Sequence, residues 1–195
     1  DVLGSRGLGD VYKRQGYHNE PSIFDGIKKD DLIIAFFPCT RFEAKVPLWF
    51  RGQAQQQKNW DDIKKLEYSM KLHDELHELY ELICMLVVVA EKRGLQMIIE
   101  NPYTQPHYLT SYWCIKPSMI DKNRRMDGDY FEKPTQYWFI NCEVQNNLDF
   151  EPIEFVPKKV ISKVKKGEYS VQTQRSMIHP QYARRFIKQY VLKEE

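Results

Sequence analysis

The sequence predicts an α/β fold with parallel strands, and three features carry that reading. Two apolar runs, residues 32–37 and 97–99, are each entered and left through polar residues or proline. Between them, residues 60–93 place apolar side chains at helical spacing. A continuous apolar run reads as a strand buried on both faces, as in parallel sheets. Strand, helix, strand is a crossover, and such connections are right-handed and join parallel strands. Ligands of open α/β sheets bind just beyond the carboxyl ends of the strands. Pro38-Cys39-Thr40 and Glu100-Asn101-Pro102-Tyr103, which follow the two runs, are therefore the first places to look for chemistry.

Residues 1–15 stand apart from this pattern. Their SRGLGDVYKRQ portion resembles one reading frame of a transposase-type sequencing adapter, and the preceding DVLG fits a primer tail in the same frame. Residues 1–15 are thus expected to be adapter-derived, and residues 16–195 to be one natural domain lacking its N-terminal part. Gly4, Gly7 and Gly9 imitate a phosphate-binding loop. Such a loop needs a strand before it, and none is legible here.

The elements follow in order. The strand at 32–37 opens into a polar loop, 40–58, that contains Trp49-Phe50-Arg51-Gly52 and three consecutive glutamines. Asn59 reads as the cap of the long helix, with Asp61 and Asp62 in a first turn where the helix dipole favours acids. The apolar stripe runs through Ile63, Leu66, Met70, Leu76, Leu79, Tyr80, Ile83, Leu86, Val87 and Ala90, and its length leaves room for a break. Gly94, after Lys92 and Arg93, suits the residue past a helix end. A second strand is expected at 95–99 and a third at 135–141, with an aromatic, loop-like stretch between them. Residues 146–157 read as a linker, and the lysines between Lys158 and Lys166 as a solvated face or a phosphate track. Pro180 opens a final amphipathic helix with Ala183, Phe186, Ile187, Tyr190 and Val191 on one side.

Composition bounds the function. A chain of 195 residues buries one ordinary core. A net charge of +2 neither demands nor excludes nucleic acid. Cys39, Cys84, Cys114 and Cys142 are scattered without a CxxC pair, which argues against a disulfide framework or a zinc knuckle and suits a reducing compartment. No apolar stretch is long enough to span a bilayer, and no secretory segment is visible. A cytoplasmic protein is expected.

A thiol and a carboxyl at neighbouring strand ends supply a nucleophile and a proton donor. Phe37-Pro38-Cys39 and Glu100-Asn101-Pro102, in that order, resemble the FPC and ENV motifs of DNA cytosine-5 methyltransferases. The likeness is closer to the compact phage-type members, whose motifs read PPCT and ENP. Lys133-Pro134-Thr135 matches the Lys-x-Thr that precedes an aromatic strand in those members. The resemblance covers the chain from about Ser22 onward.

What it implies is a Rossmann-like S-adenosylmethionine-dependent methyltransferase fold, N-terminally truncated, acting on DNA. It makes Cys39 the nucleophile that adds to carbon 6 of cytosine, and Glu100 the residue that binds the target base. Pro38, Thr40, Asn101, Pro102, Lys133 and Arg175 become substrate-side residues. Asp25 and Phe37 become cofactor-side residues, with S-adenosylmethionine as the methyl donor. The chain departs from the family in several places. The glycine loop of the first motif is absent, Thr40 stands where larger enzymes have Gln, and Pro102 where they have Val. The QxRxR motif is reduced to Gln172-Thr-Gln174-Arg175, and no separate target-recognition domain is visible.

Other readings compete. Cys39 is also what an inert buried thiol looks like, and Asn101-Pro102 is also an ordinary turn signal. Asn101-Pro102-Tyr103 resembles the (D/N)PP(Y/F) motif of amino-methyltransferases with one proline missing. His73-Asp74-Glu75-Leu76-His77 resembles HExxH, whose two histidines share a helix face, although Asp74 replaces the required glutamate. A DNA-binding relic of the fold without turnover is a further alternative.

Overall fold

The computed structural model describes residues 24–43, 45–104, 106–159, 161 and 170–193. The adapter-like segment and most of the lysine-rich stretch lie outside the described residues. The first strand, β1, spans Leu32–Phe36. A short helix, α1 (Val46–Phe50), and a 3-10 turn at Gln55–Gln57 lead to α2, Asp62–Arg93, which runs unbroken for 32 residues. Asp61 caps α2 by accepting from the Lys64 N–H at 2.8 Å. Asn59 does not, because residues 57–60 form a turn of their own, closed by the Trp60 N–H on the Gln57 carbonyl. Gly94 ends the helix with φ at 64°, a left-handed conformation that glycine adopts at no steric cost.

The chain continues through β2 (Gln96–Pro102), the short helix α3 (Tyr108–Tyr112), β3 (Met119–Asp121), a 3-10 turn at Arg124–Asp127 and β4 (Thr135–Ile140). Two helices close it, α4 (Val171–Ser176) and α5 (Pro180–Phe186), the latter running into a π-type turn at Ile187–Val191.

The sheet has the order β1-β2-β4-β3. β1 and β2 are parallel, joined by the α2 crossover, while β4 runs antiparallel to both β2 and β3. The sheet is therefore mixed. Its side chains alternate between two layers, as the pleat requires. Met97, Ile99, Trp138 and Ile140 pack with Leu76, Leu82, Ile83, Val87 and Ala90 of α2. Ile98 and Tyr137 face the other way, onto Tyr182 and Phe186 of α5.

β2 is buried on both faces, as its apolar run predicts. β1 is not. Ile34 is 40% and Phe36 63% exposed, while Leu32 on the same face is half-buried against the α5-side cluster, so cover on that face of β1 fades toward its carboxyl end. Asn141 locks the far end of β4. At φ 53° its side-chain N–H groups donate to the carbonyls of Ala90 and Leu95, both at 3.0 Å, where α2 hands over to β2. No described helix is long and apolar enough to cross a membrane.

Candidate active site

The parallel register sets Phe36 beside Glu100, so the parallel ladder ends at this pair, two residues before β2 itself does. Beyond that pair the Phe37 N–H donates to the Glu100 carbonyl at 3.4 Å, and the Asn101 side-chain N–H donates to the Phe37 carbonyl at 3.0 Å. The chain is thus pinned two residues before Cys39, and the ring of Pro38 fixes the next φ. The Cys39 carbonyl accepts from the N–H groups of Phe42 at 2.9 Å and Glu43 at 3.1 Å, which winds residues 39–43 into a single helical turn. Phe42 is fully buried. It stacks on Phe37 at 6.1 Å and on Tyr108 at 5.9 Å, and its carbonyl accepts from the Tyr108 N–H at 2.9 Å. Thr40 is exposed on the same turn.

Glu100 is 6% exposed and sits among cations. Its Oε1 lies 3.4 Å from Lys133 Nζ and 3.8 Å from an Arg124 nitrogen. Arg124 is 1% exposed, pairs with Asp129 on its other side, and stands 4.6 Å from the centroid of the Tyr182 ring. The Tyr182 hydroxyl donates to Asp121 at 2.8 Å and lies 2.8 Å from the Tyr137 hydroxyl. Gly128, at φ 86°, turns the chain back so that Asp129 can reach Arg124. Asp129 Oδ1 also accepts from the N–H groups of Tyr130 and His179, both at 2.8 Å.

The thiol of Cys39 donates to Glu43 Oε1 at 3.5 Å. Burial pushes the thiol up to about 11, and the carboxylates of Glu43 and Glu100 add to that; the Lys133 cation pulls it down. Cys39, Glu43, Lys133 and Glu100 therefore form one electrostatic group. At neutral pH the thiol carries its proton, so a nucleophile has to be made by removing it.

The remaining sequence-derived candidates spread over the molecule. Pro102 ends β2, where its carbonyl accepts from Gln136 at 2.8 Å. Arg175 is exposed on α4. Phe37 turns its ring into the core, 6% exposed, while Asp25 lies exposed on the turn before β1.

S-adenosylmethionine, implied by the resemblance, would need a cradle for its adenosine beside β1, where Asp25 lies exposed and the Phe37 ring is committed to the core. Two clefts lie elsewhere, one of about 620 Å³ between residues 147–152 and Lys188, the other of about 270 Å³ between Arg125, Asp129 and Phe155. The described residues by themselves do not fit that group, and the chemistry assigned to them stops short of it. The two histidines of α2 are engaged locally. His73 Nδ1 is 2.8 Å from the Ser69 carbonyl and its ring lies against Phe50, while His77 is 3.9 Å from Glu81. Among the described residues no group of three or more His, Cys, Asp or Glu side chains converges on a metal position.

Sequence reasoning missed Glu43, Arg124, Asp129 and Tyr182. The only signal for Arg124 and Asp129 was a charged stretch, Arg124-Arg125-Met126-Asp127-Gly128-Asp129, in a segment that reads as loop. No family model matches the chain, and no curated protein or solved structure matches it either.

Proposed function

We propose that the chain is the base-binding and nucleophilic part of a DNA cytosine-5 methyltransferase of the compact phage type, on a Rossmann-like sheet. The observation that supports this most is the pinning of Cys39 and Glu100 at adjacent carboxyl ends of two parallel strands, through the Phe37–Glu100 and Asn101–Phe37 hydrogen bonds.

Carbon 5 of cytosine is a poor nucleophile inside an aromatic ring, and the base must first leave the DNA stack to be reached. Sulfur adding to carbon 6 breaks the aromaticity. The carbon 5–carbon 6 pair then moves to carbon 4–carbon 5, and the carbon 4–nitrogen 3 pair moves onto nitrogen 3. Glu100 covers nitrogen 3, and a solvent proton relayed to that nitrogen through its carboxyl keeps negative charge from building up there. Its other oxygen accepts from the exocyclic amine. Lys133, 29% exposed and 3.4 Å from Glu100, holds that carboxyl on the substrate side. The ring is then an enamine, and carbon 5 is nucleophilic toward a methyl donor.

Asn101 is fully buried and its amide N–H is committed to the Phe37 carbonyl, so it serves the turn under Cys39.

The test needs no methyl donor. An adduct at carbon 6 lets carbon 5 pick up a solvent proton, and reversal then releases the original hydrogen. DNA carrying tritium at carbon 5 of cytosine is expected to lose tritium to water in the presence of the protein. Cys39→Ala abolishes the release and Glu100→Gln slows it. Folded wild-type protein that binds DNA but releases no tritium overturns carbon-6 addition and leaves the amino-methyltransferase or the relic.

A further inference from the structure

We propose that Glu43 is the base that takes the thiol proton of Cys39, an assignment that rests on reading Cys39 as the nucleophile. The thiol donates to Glu43 Oε1 at 3.5 Å, across four residues of chain. This contact is built by the backbone. The Phe42 and Glu43 N–H groups both donate to the Cys39 carbonyl, and residues four apart on a helical turn present their side chains on one side. Phe42, between them, is fully buried against Phe37 and Tyr108. The turn cannot swing away without drawing an aromatic ring out of the core.

The ionisable groups that face the thiol are Glu43, Lys133 and Glu100. Lys133 is a cation already directed at Glu100 and has no site for another proton. Glu100 is held between Lys133 and Arg124 and is needed at the far edge of the base. Glu43 is the remaining acceptor, and its exposure to solvent lets it exchange the proton after each cycle.

The step balances. The S–H bond breaks and its proton goes to Glu43, while the sulfur electron pair forms the bond to carbon 6. The displaced ring electrons end on nitrogen 3, which takes a solvent proton relayed through the Glu100 carboxyl. Elimination reverses each transfer, and Glu43 returns the proton to sulfur. The Cys39–Glu43 pair carries a single negative charge before and after proton transfer, so no second charge is created beside Glu100. A thiol held up by burial thus becomes reactive only where a base is in contact with it.

The experiment compares two readouts in wild type, Glu43→Gln and Cys39→Ala across pH. One is tritium release from carbon-5-tritiated DNA. The other is alkylation of Cys39 by iodoacetamide, followed by peptide mass spectrometry. Removing the Glu43 charge makes the thiolate easier to form, so alkylation of Cys39 in Glu43→Gln is expected to be several-fold faster than in wild type near pH 8. Tritium release is expected to move the opposite way, falling by about 10²-fold near pH 7. It should also climb about tenfold per pH unit in the variant, while the wild type stays flat through neutrality. A neighbour that only tunes the thiol by its charge moves both readouts in the same direction. Tritium release in Glu43→Gln equal to or faster than wild type overturns the assignment and leaves Cys39 as nucleophile. Wild-type protein whose Cys39 is alkylated but which releases no tritium overturns the nucleophile reading and this assignment with it.

Discussion

Arg124 lies 3.8 Å from the carboxylate of Glu100 and pairs with Asp129 on its opposite side, and all three side chains are nine-tenths buried or more. A single buried guanidinium therefore serves two carboxylates contributed by different segments, β2 and the turn after the 3-10 segment. Its face is covered by the Tyr182 ring of α5, so Glu100 is tied to the closing helix of the chain. Burying charges costs several kcal/mol per ion unless partners repay it, and here each member of the triad has one.

Replacing Arg124 with Met should unmask that cost. Glu100 keeps Lys133, but Asp129 keeps only its two backbone N–H donors. The expected loss of unfolding free energy is about 3–5 kcal/mol, read from urea melts. Arg124→Met combined with Asp129→Asn should lose less than Arg124→Met alone, because no buried charge is then left without a guanidinium. If the double variant is the less stable of the two, the triad is not the source of the loss.

His107 supplies a pH dependence. The ring is 1% exposed, its Nε2 has no partner, and burial lowers it from 6.5 to about 4. The neutral form is the one the fold accepts, so stability is full above the unfolded value near 6.5. It declines as pH falls, because the unfolded chain takes up a proton that the folded chain refuses, and it levels off below about 4. This contribution is roughly 3 kcal/mol across the window. His107→Leu is expected to flatten the wild-type profile between about pH 7.5 and about pH 4.5, as measured by urea midpoints. A variant with the same slope as wild type assigns the acid sensitivity to carboxylates instead.

The parts of this architecture that repeat were legible in the sequence. The α2 stripe spans many turns, so Leu76, Ile83, Val87 and Ala90 announce both the helix and its buried face, and Gly94 marks its end. β2 carries the apolar run that a doubly covered strand needs. β1 carries a similar run and is nevertheless half exposed at Ile34 and Phe36, since a run of apolar residues reports what the chain would bury and not what covers it. Elements of three to five residues, such as α1, α3 and β3, contain too few periods to be read. Asn59 and Asp61 are both good caps, and only the Gln57–Trp60 turn decides between them. The site divides in the same way. Cys39 and Glu100 stand in motifs, whereas Glu43 acquires its role from one helical turn inside a loop, and Arg124 from partners far away in sequence.

Lys133 should act on Cys39 with the sign opposite to Glu43. Its ammonium is the group that pulls the thiol down. Lys133→Met removes that pull, so the thiol moves further into the alkaline range and alkylation of Cys39 at fixed pH becomes slower than in wild type. Tritium release should fall as well, because Glu100 loses the cation that orients it. Faster alkylation in this variant would place the ammonium out of electrical contact with the thiol.

Asn101 tests whether the turn under Cys39 must be pinned. Its side-chain N–H donates to the Phe37 carbonyl at 3.0 Å, and both residues are buried, so Asn101→Ala leaves a carbonyl without its partner. That costs about 1–3 kcal/mol in a buried site. The effect on chemistry is expected to be larger than stability alone explains. Phe37 immediately precedes Pro38-Cys39, and a slack carbonyl there lets the thiol drift from the position that Glu43 and the base require. Displacements of this kind reach about 10²-fold in rate. At a temperature where the variant is still fully folded by circular dichroism, tritium release should therefore drop while iodoacetamide labelling of Cys39 changes little. A variant that is destabilised yet exchanges at the wild-type rate would confine Asn101 to holding the sheet together, and leave the positioning of Cys39 to Pro38 and the Phe42 anchor.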